Sequence, residues 1–290
     1  MRIGLKLDID FAANPFYRRL YGSCNVPVFL RSLGFHGIET PVGPETSEAD
    51  VLDHARICSQ AGLAVSLHPY TEAAPQNPGG FEDKAGNVCR DYFERLFELS
   101  DEIARMQRSA VVVNVHSAAG PKSVPRSHLV ERSIAFFDWA RSFTQSHYPN
   151  AQPVAELQIA PNPDEDMMRI GDSYDELLAV VRQSGTPACL DLGHAAMNIQ
   201  RFGGPLEPPA ALLRQVVHVH CHDVNGEDHL PLSPGDRPWR KLLNLLIQAG
   251  FDQTIILEVP PANFLKHSGL DALTRSIELL KEASGRSSGT

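Results

Sequence analysis

Eight short runs rich in apolar and β-branched residues recur along the chain, spaced so that a helix fits between neighbours. They are IGLKL (3–7), HGIET (36–40), LAVSLH (63–68), AVVVNVH (110–116), PVAELQI (153–159), PACLDLG (187–193), VVHVHCH (216–222) and TIILEVP (254–260). Most are hydrophobic almost without interruption, as strands covered on both faces should be. The intervening segments carry helical periodicity. In SEADVLDHARICSQAG (47–62), Val51, Leu52, Ala55 and Cys58 share one face, with Ser47 as N-cap and Gly62 as stop. Residues 90–106, 129–143, 173–185, 239–250 and 269–283 read the same way, and 26–34 and 206–215 more weakly. Glycine separates helix from strand in SLGFHGIE, QAGLAVSL and QAGFDQTIILE, the position of a left-handed cap. Such alternation requires right-handed crossovers and a parallel sheet. Eight strands and eight connectors predict an α/β protein closed as a single (β/α)8 TIM barrel over residues 1–284, with 285–290 as a flexible tail.

Composition narrows the partners. The 26 Lys+Arg against 35 Asp+Glu give a net charge of −9, with no general attraction for nucleic acid or anionic lipid. The opening MRIGLKLDID lacks the apolar core of a secretory signal, and no apolar run is long enough to span a bilayer. The five cysteines are an odd number without a CxxC pair, and Cys58, Cys89, Cys189 and Cys221 read as small buried residues. The expectation is a cytoplasmic protein with reduced thiols that acts on a small molecule.

In a parallel barrel, the last residues of the strands and the loops after them converge on one mouth. The polar residues of the eight runs fall there. Glu39 ends the second strand, His68 the third and His116 the fourth. Glu156 lies in the fifth, Asp191 and His194 close the sixth, and His218, His220 and His222 occupy the seventh with Asp223 just beyond. Glu258 ends the eighth. Carboxylates flanked by Ala155 and Leu157, or by Leu257 and Val259, are costly in a barrel wall unless a cation pairs with them. For His218 and His222, structural duty and ligation both stay open. His36, His54, His128, His147 and His267 fall outside the pattern and read as surface residues.

GFHGIE, ELQ, DLGH, HCHD, DHLPLSPGDRPW and ILE, in that order along nearly the whole chain, resemble the xylose isomerase-like TIM barrels. That superfamily comprises sugar and sugar-phosphate isomerases and epimerases together with endonuclease IV-type AP endonucleases. The resemblance implies a divalent-metal site of Glu156, Asp191, His220 and Glu258, with Glu156 and Glu258 also as the acid–base pair. His194 is similar to the epimerases' substrate-contacting histidine, which in the endonucleases is itself a ligand. The loop Pro231-Leu232-Ser233-Pro234-Gly235 departs from the epimerases' PLGEG, with serine in place of the first glycine.

Three carboxylates and one imidazole form a hard, oxygen-rich set suited to Mn²⁺ first, with Mg²⁺, Co²⁺ or Zn²⁺ tolerated. Such an ion grips two oxygens of a sugar and stabilises a developing enediolate, while one glutamate removes a proton beside a carbonyl and the other returns one. The leading expectation is therefore a metal-dependent isomerase or epimerase of a sugar or related polyol. Candidate substrate contacts are His68, His116, His194, Asp223, His229 and Arg237. A lyase or dehydratase would use the same proton abstraction. An endonuclease IV-like multi-zinc phosphodiesterase would use His68, His116, His194, Glu227 and His229 as additional ligands, yet the chain has no Lys/Arg-rich stripe for DNA phosphates. Loops at 69–87, 117–127, 160–172 and 198–209 are expected to cover the pocket. Lys122, Arg126, Arg169, Arg201 and Arg237 are unranked candidates for a substrate phosphate, and Trp239 for stacking on a sugar or packing a helix start. The resemblance favours a homodimer or homotetramer.

Overall fold

The computed structural model describes residues 1–71, 75–81 and 87–285. Eight parallel strands close into a barrel: β1 (Arg2–Lys6), β2 (Gly37–Val42), β3 (Ala64–Pro69), β4 (Val111–Val115), β5 (Ala151–Glu156), β6 (Ala188–Asp191), β7 (Val216–Cys221) and β8 (Thr254–Leu257). Neighbours in sequence are neighbours in space. Closure runs through β1 and β8, which pair from Arg2 with Thr254 to Leu5 with Leu257. The predicted tail at 285–290 lies outside the described residues apart from Gly285, as does part of the 69–87 loop.

Helices cover the outside: α1 (Pro15–Tyr21), α2 (Val26–Ser32), α3 (Glu48–Gln60), α4 (Asn87–Gln107), α5 (Arg126–His147) and α6 (Tyr174–Ser184). They continue with α7 (Leu192–Phe202), α8 (Ala210–Leu213), α9 (Pro238–Gln248), α10 (Pro261–Lys266) and α11 (Leu270–Ala283). Gly34, Gly62 and Gly250 have φ of 94°, 78° and 93°, so the glycine punctuation marks left-handed turns that side chains would strain. Apolar side chains of the strands and helices form one large core, with Phe81, Phe93, Phe97, Phe136 and Trp139 in ring contact between α4 and α5, and a small second cluster gathers Ala196, Met197 and Val224.

Three helices go beyond the periodicity: α1, α7 and α10. The case of α7 bears on the site. Asp191 is both the last residue of β6 and the N-cap of α7, its Oδ1 accepting from the His194 backbone N–H at 2.8 Å. No loop separates strand from helix, so part of the expected 198–209 loop is helical. A short antiparallel pair, Ala119–Gly120 with Met168–Arg169, was also not anticipated. Gln158 of ELQ donates to the Ser117 and Ile170 carbonyls and so ties the loops after β4 and β5 together.

His54 corrects the surface reading. It is 3 % exposed, packed edge-on to Phe11 and 3.7 Å from Cys58 Sγ, because it shares the buried face of α3 with Val51, Ala55 and Cys58. His36 is half-buried, accepting from the Ile3 N–H, whereas His128, His147 and His267 are exposed. Trp239 is buried at the start of α9 and offers no face to a sugar.

Candidate active site

Strand register brings the four principal side chains to one height. Asp191 pairs with His220, and the Glu258 N–H donates to the Cys221 carbonyl, so β6, β7 and β8 end together beside Glu156 at the tip of β5. Glu156, Asp191, His220 and Glu258 are buried, with one donor atom from each inside a mutual span of 4.8 Å. His220 Nδ1 lies 3.5 Å from Glu156 Oε1, 3.6 Å from Asp191 Oδ2 and 2.7 Å from Glu258 Oε2. All four atoms lack an aligned hydrogen-bond partner. The last contact is short, but it is a meeting of charges without hydrogen-bond alignment. Four orphaned buried donors converging on one point are what a divalent cation requires, and an oxygen-rich set with one imidazole suits a hard or borderline ion. The residues fit the group.

The opposite edge of His220 is held by Glu39, which composition placed at a strand end without assigning it a task. His220 Nε2 lies 2.6 Å from Glu39 Oε1, a charge contact without hydrogen-bond alignment, and 3.3 Å from Asn114 Nδ2. That leaves Nδ1 to face the donor cluster. The other Glu39 oxygen is 2.8 Å from His218 Nε2 and accepts from Ser66 Oγ at 3.2 Å. Burial pushes the Glu39 carboxyl up, but His220 and His218 outweigh it and hold the group well below the usual carboxylate range.

Each glutamate turns one oxygen away from the cluster. Glu156 Oε2 accepts from Asn114 Nδ2 at 2.6 Å and lies 3.2 Å from His116 Nε2 and 3.3 Å from His68 Nε2. Burial of Glu156 is opposed by His116, His220 and His68, which keep it ionised well below its ordinary range. His68 itself is pushed down to about 4 by burial, against the pull of Glu156. Glu258 Oε1 lies 3.1 Å from Lys6 Nζ and accepts from Tyr70 Oη at 3.2 Å. Lys6 and Tyr70 escaped the sequence reading: a lysine ending a strand and a tyrosine in a loop look like surface residues until closure brings β1 beside β8.

A second group lies on the α7 side. Nitrogens of His194, His222 and His229 come within 4.8 Å of one another. Asp228 reaches all three, with oxygens 3.3 Å from His222 Nδ1, 3.3 Å from His229 Nδ1 and 3.7 Å from His194 Nε2. Its carboxyl is drawn down to about 2, burial being outweighed by His229, His222 and His194. His229 has a left-handed backbone, φ 53°, which aims its N–H at His222 Nδ1. A Cβ on Gly193 would stand 1.9 Å from His222 Cε1, so the glycine of DLGH makes room for that ring. Glu227 is exposed and joins neither cluster, a correction to its assignment as an extra ligand. Two-residue strand alternation does not extend into the loop, and Asp228 takes the inward position.

The remaining candidates hold loops together. Arg237 Nε pairs with Asp223 Oδ2 at 2.9 Å, and Asp223 also caps the backbone at Val224 and Ser233. Arg126 pairs with Asp172 and Glu176, Arg201 and Arg169 donate to the Ala160 and Ile159 carbonyls, and Lys122 donates to Pro163. A cavity of about 610 Å³ opens beside Leu157 and Ala195, mainly against Ile199, Phe202, Met167 and Pro161. None of Glu156, Asp191, His220 and Glu258 lines it.

A closed (β/α)8 barrel with a carboxylate–imidazole cluster at its C-terminal mouth defines the class of barrels built around a candidate divalent-metal centre. Residues 28–283 match the sequence model of the family described as Xylose isomerase-like TIM barrel, and the chain belongs to that family. Among curated proteins no sequence matches. Solved structures do. A D-tagatose 3-epimerase-like protein shares 19% identity at a TM-score of 0.67, over 98% of this chain and 97% of that one. A D-allulose 3-epimerase from Methylomonas sp. shares 13% at 0.68, over 98% and 97%. An AP endonuclease, family 2, from Brucella melitensis shares 16% at 0.61, over 88% and 91%. At these identities the likeness shows the fold alone. No helix among the described residues is long and apolar enough to cross a membrane.

Proposed function

We propose that this protein is a divalent-metal-dependent isomerase or epimerase of a small sugar or related polyol, with Mn²⁺ as the preferred ion and Glu156 and Glu258 as the acid–base pair. The observation that carries the reading is the set of orphaned donors on Glu156, Asp191, His220 and Glu258. When bound, the ion would polarise a substrate carbonyl and offset the negative charge that develops on its oxygen. Glu39 fixes the His220 ring, and Asp191 is fixed in turn by its capping bond to α7. Glu156 and Glu258 arrive from β5 and β8 and are both held ionised, so each enters as a base. Either can take the proton from the carbon beside the carbonyl and, now a carboxylic acid, return it to the neighbouring carbon in an isomerisation; in an epimerisation the second must first take up a proton from solvent to return one on the opposite face. His194, His229, His68 and His116 ring the same space as donors to substrate hydroxyls. The epimerases among the structural neighbours are consistent with this chemistry.

A second reading has its own observation. His194, His222, His229 and Asp228 form a further group that adjoins the first through Asp191, while His68 and His116 converge on Glu156 Oε2. Both suit further ions and would favour a multi-metal hydrolase. Metal content per chain, together with proton NMR of candidate ketoses in D₂O with added Mn²⁺, tests the two. One ion and deuterium incorporated next to a carbonyl support the isomerase reading. Two or three zinc ions with phosphodiester cleavage and no exchange would overturn it.

A further inference from the structure

Lys6 is an unexpected neighbour for a metal ligand. Its side chain, 19 % exposed, ends 3.1 Å from Glu258 Oε1 and 2.5 Å from Tyr70 Oη, and Tyr70 donates to the same Glu258 oxygen. An ammonium that close to a dication site is repelled by the ion. It is stable there only with anions interposed. Glu258 is one such anion. Lys6 has three N–H groups, two taken by Tyr70 and Glu258, and no acceptor for the third among the described residues.

Tyr70 stands beside that donor. Its ring packs 4.4 Å from His68 and stands edge-on to His116, so the phenol forms the wall between the Lys6 corner and the histidines beside Glu156. Lys6 Nζ lies over the same ring. The rim cations that a distant phosphate would need are engaged elsewhere: Arg126 and Arg237 in ion pairs, Lys122 and Arg201 on loop carbonyls. The Lys6 ammonium, itself paired with Glu258 but keeping one N–H, sits beside the candidate ligand set.

We infer that Lys6, braced by Tyr70, binds a carboxylate of the substrate, on the carbon adjacent to the oxygens that the metal would grip. The substrate is then a hydroxy- or oxo-acid of the sugar class rather than a neutral ketose or a sugar with a terminal phosphate. This inference rests on the metal-isomerase reading above for the identity of the neighbouring site, but Lys6 itself needs no ion to attract an anion.

The test is calorimetric binding of D-gluconate, D-sorbitol and sorbitol 6-phosphate to the whole protein, with and without Mn²⁺. Gluconate and sorbitol differ at one end, carboxylate against hydroxymethyl. Gluconate is expected to bind at least about tenfold tighter than sorbitol, as one charge-assisted hydrogen bond implies. Lys6→Gln should abolish that preference, and Lys6→Arg should retain most of it. A purely structural lysine would leave the gluconate-to-sorbitol ratio unmoved in Lys6→Gln. Equal binding of gluconate and sorbitol by the native protein overturns the inference without recourse to any variant, and so does a Lys6-dependent preference for sorbitol 6-phosphate over gluconate. Failure to bind Mn²⁺ would instead sink the metal-isomerase reading, while the comparison in its absence would still judge Lys6.

Discussion

Replacing Glu39 by glutamine tests the architecture of the ligand set without touching a ligand. The carboxylate serves two imidazoles at once, Oε1 at 2.6 Å from His220 Nε2 and Oε2 at 2.8 Å from His218 Nε2. Glutamine offers one oxygen and one NH₂, so one ring must give up its Nε2 proton and accept. If that ring is His220, the proton moves to Nδ1 and the ligand atom is lost. If it is His218, a proton appears on a buried Nδ1 that has no partner. Either outcome is costly.

The magnitude follows from two opposed effects. Burial lowers the His220 pKa, but Glu39, Cys189, Glu258 and Glu156 raise it well above the ordinary histidine value. Without metal, the neighbouring carboxylates favour a proton on His220, and an ion must displace it. Glu39→Gln weakens the hold on that proton, which favours metal, yet it removes attraction from a dication more than from a single proton. Loss of ring orientation adds to the deficit. The net expectation is a 10- to 100-fold fall in Mn²⁺ affinity, about 1.4–2.7 kcal/mol. Calorimetry in buffers of different ionisation enthalpy reads both quantities. Native protein should release close to one proton per Mn²⁺ at pH 7, with affinity climbing as pH rises toward the His220 pKa, and the variant should release less. Unchanged affinity and unchanged proton release in a folded Glu39→Gln protein would refute the argument.

Other expectations follow from the same geometry. Glu258→Gln should eliminate turnover and Mn²⁺ binding while leaving the circular dichroism of the barrel intact, and near-native rates would remove Glu258 from the mechanism. His54 should make stability pH-dependent: burial pushes it down to about 4, so the unfolded chain takes up a proton first as pH falls below about 6.5. Its contribution is complete above that value and is lost between about 6.5 and about 4, to a limit of about 3 kcal/mol. Urea unfolding at pH 7.5 and 5 should show a smaller loss for His54→Leu, and parallel losses would contradict the assignment. Gly193→Ala drives a methyl into the His222 ring and should cost about 1–3 kcal/mol and disturb the second histidine group; a thermal melt matching the native protein's would show that the ring can move aside.

Residues became legible wherever burial gave their chemistry a cost. Glu156 and Glu258 stand out in apolar runs because a carboxylate there needs a partner, and Asp191 because it ends such a run. The eight-strand barrel was readable for the same reason, since strands buried on both faces leave nearly continuous hydrophobic runs. Elements defined by closure were not legible. Lys6 and Glu258 are 252 residues apart in sequence and meet only because β1 pairs with β8. Nor did the helical start at Leu192 show, because Asp191 performs as strand end and helix cap in one residue. For His54 the signal is in the spacing: it lies three residues after Val51 and four before Cys58, on the core face of α3.

The mouth of the barrel holds Glu39, Glu156, Asp191 and Glu258 as fully buried carboxylates, with Asp228 partly buried behind them. Against these charges stand one ammonium and a set of imidazoles. Stability alone would not select such a group, because apolar residues of similar volume often do as well or better than buried ion pairs. Protons on the imidazoles can balance the charge, but each proton then occupies an atom that faces the carboxylates. A dication balances two charges from a single point and frees His220 Nδ1 to face it as a lone pair. The arrangement is therefore comprehensible as a site prepared for a metal ion, with protons holding its place. Added Mn²⁺ should raise the melting temperature in a concentration-dependent manner, and a protein whose melting point ignores both Mn²⁺ and chelator would leave the buried charges without this explanation.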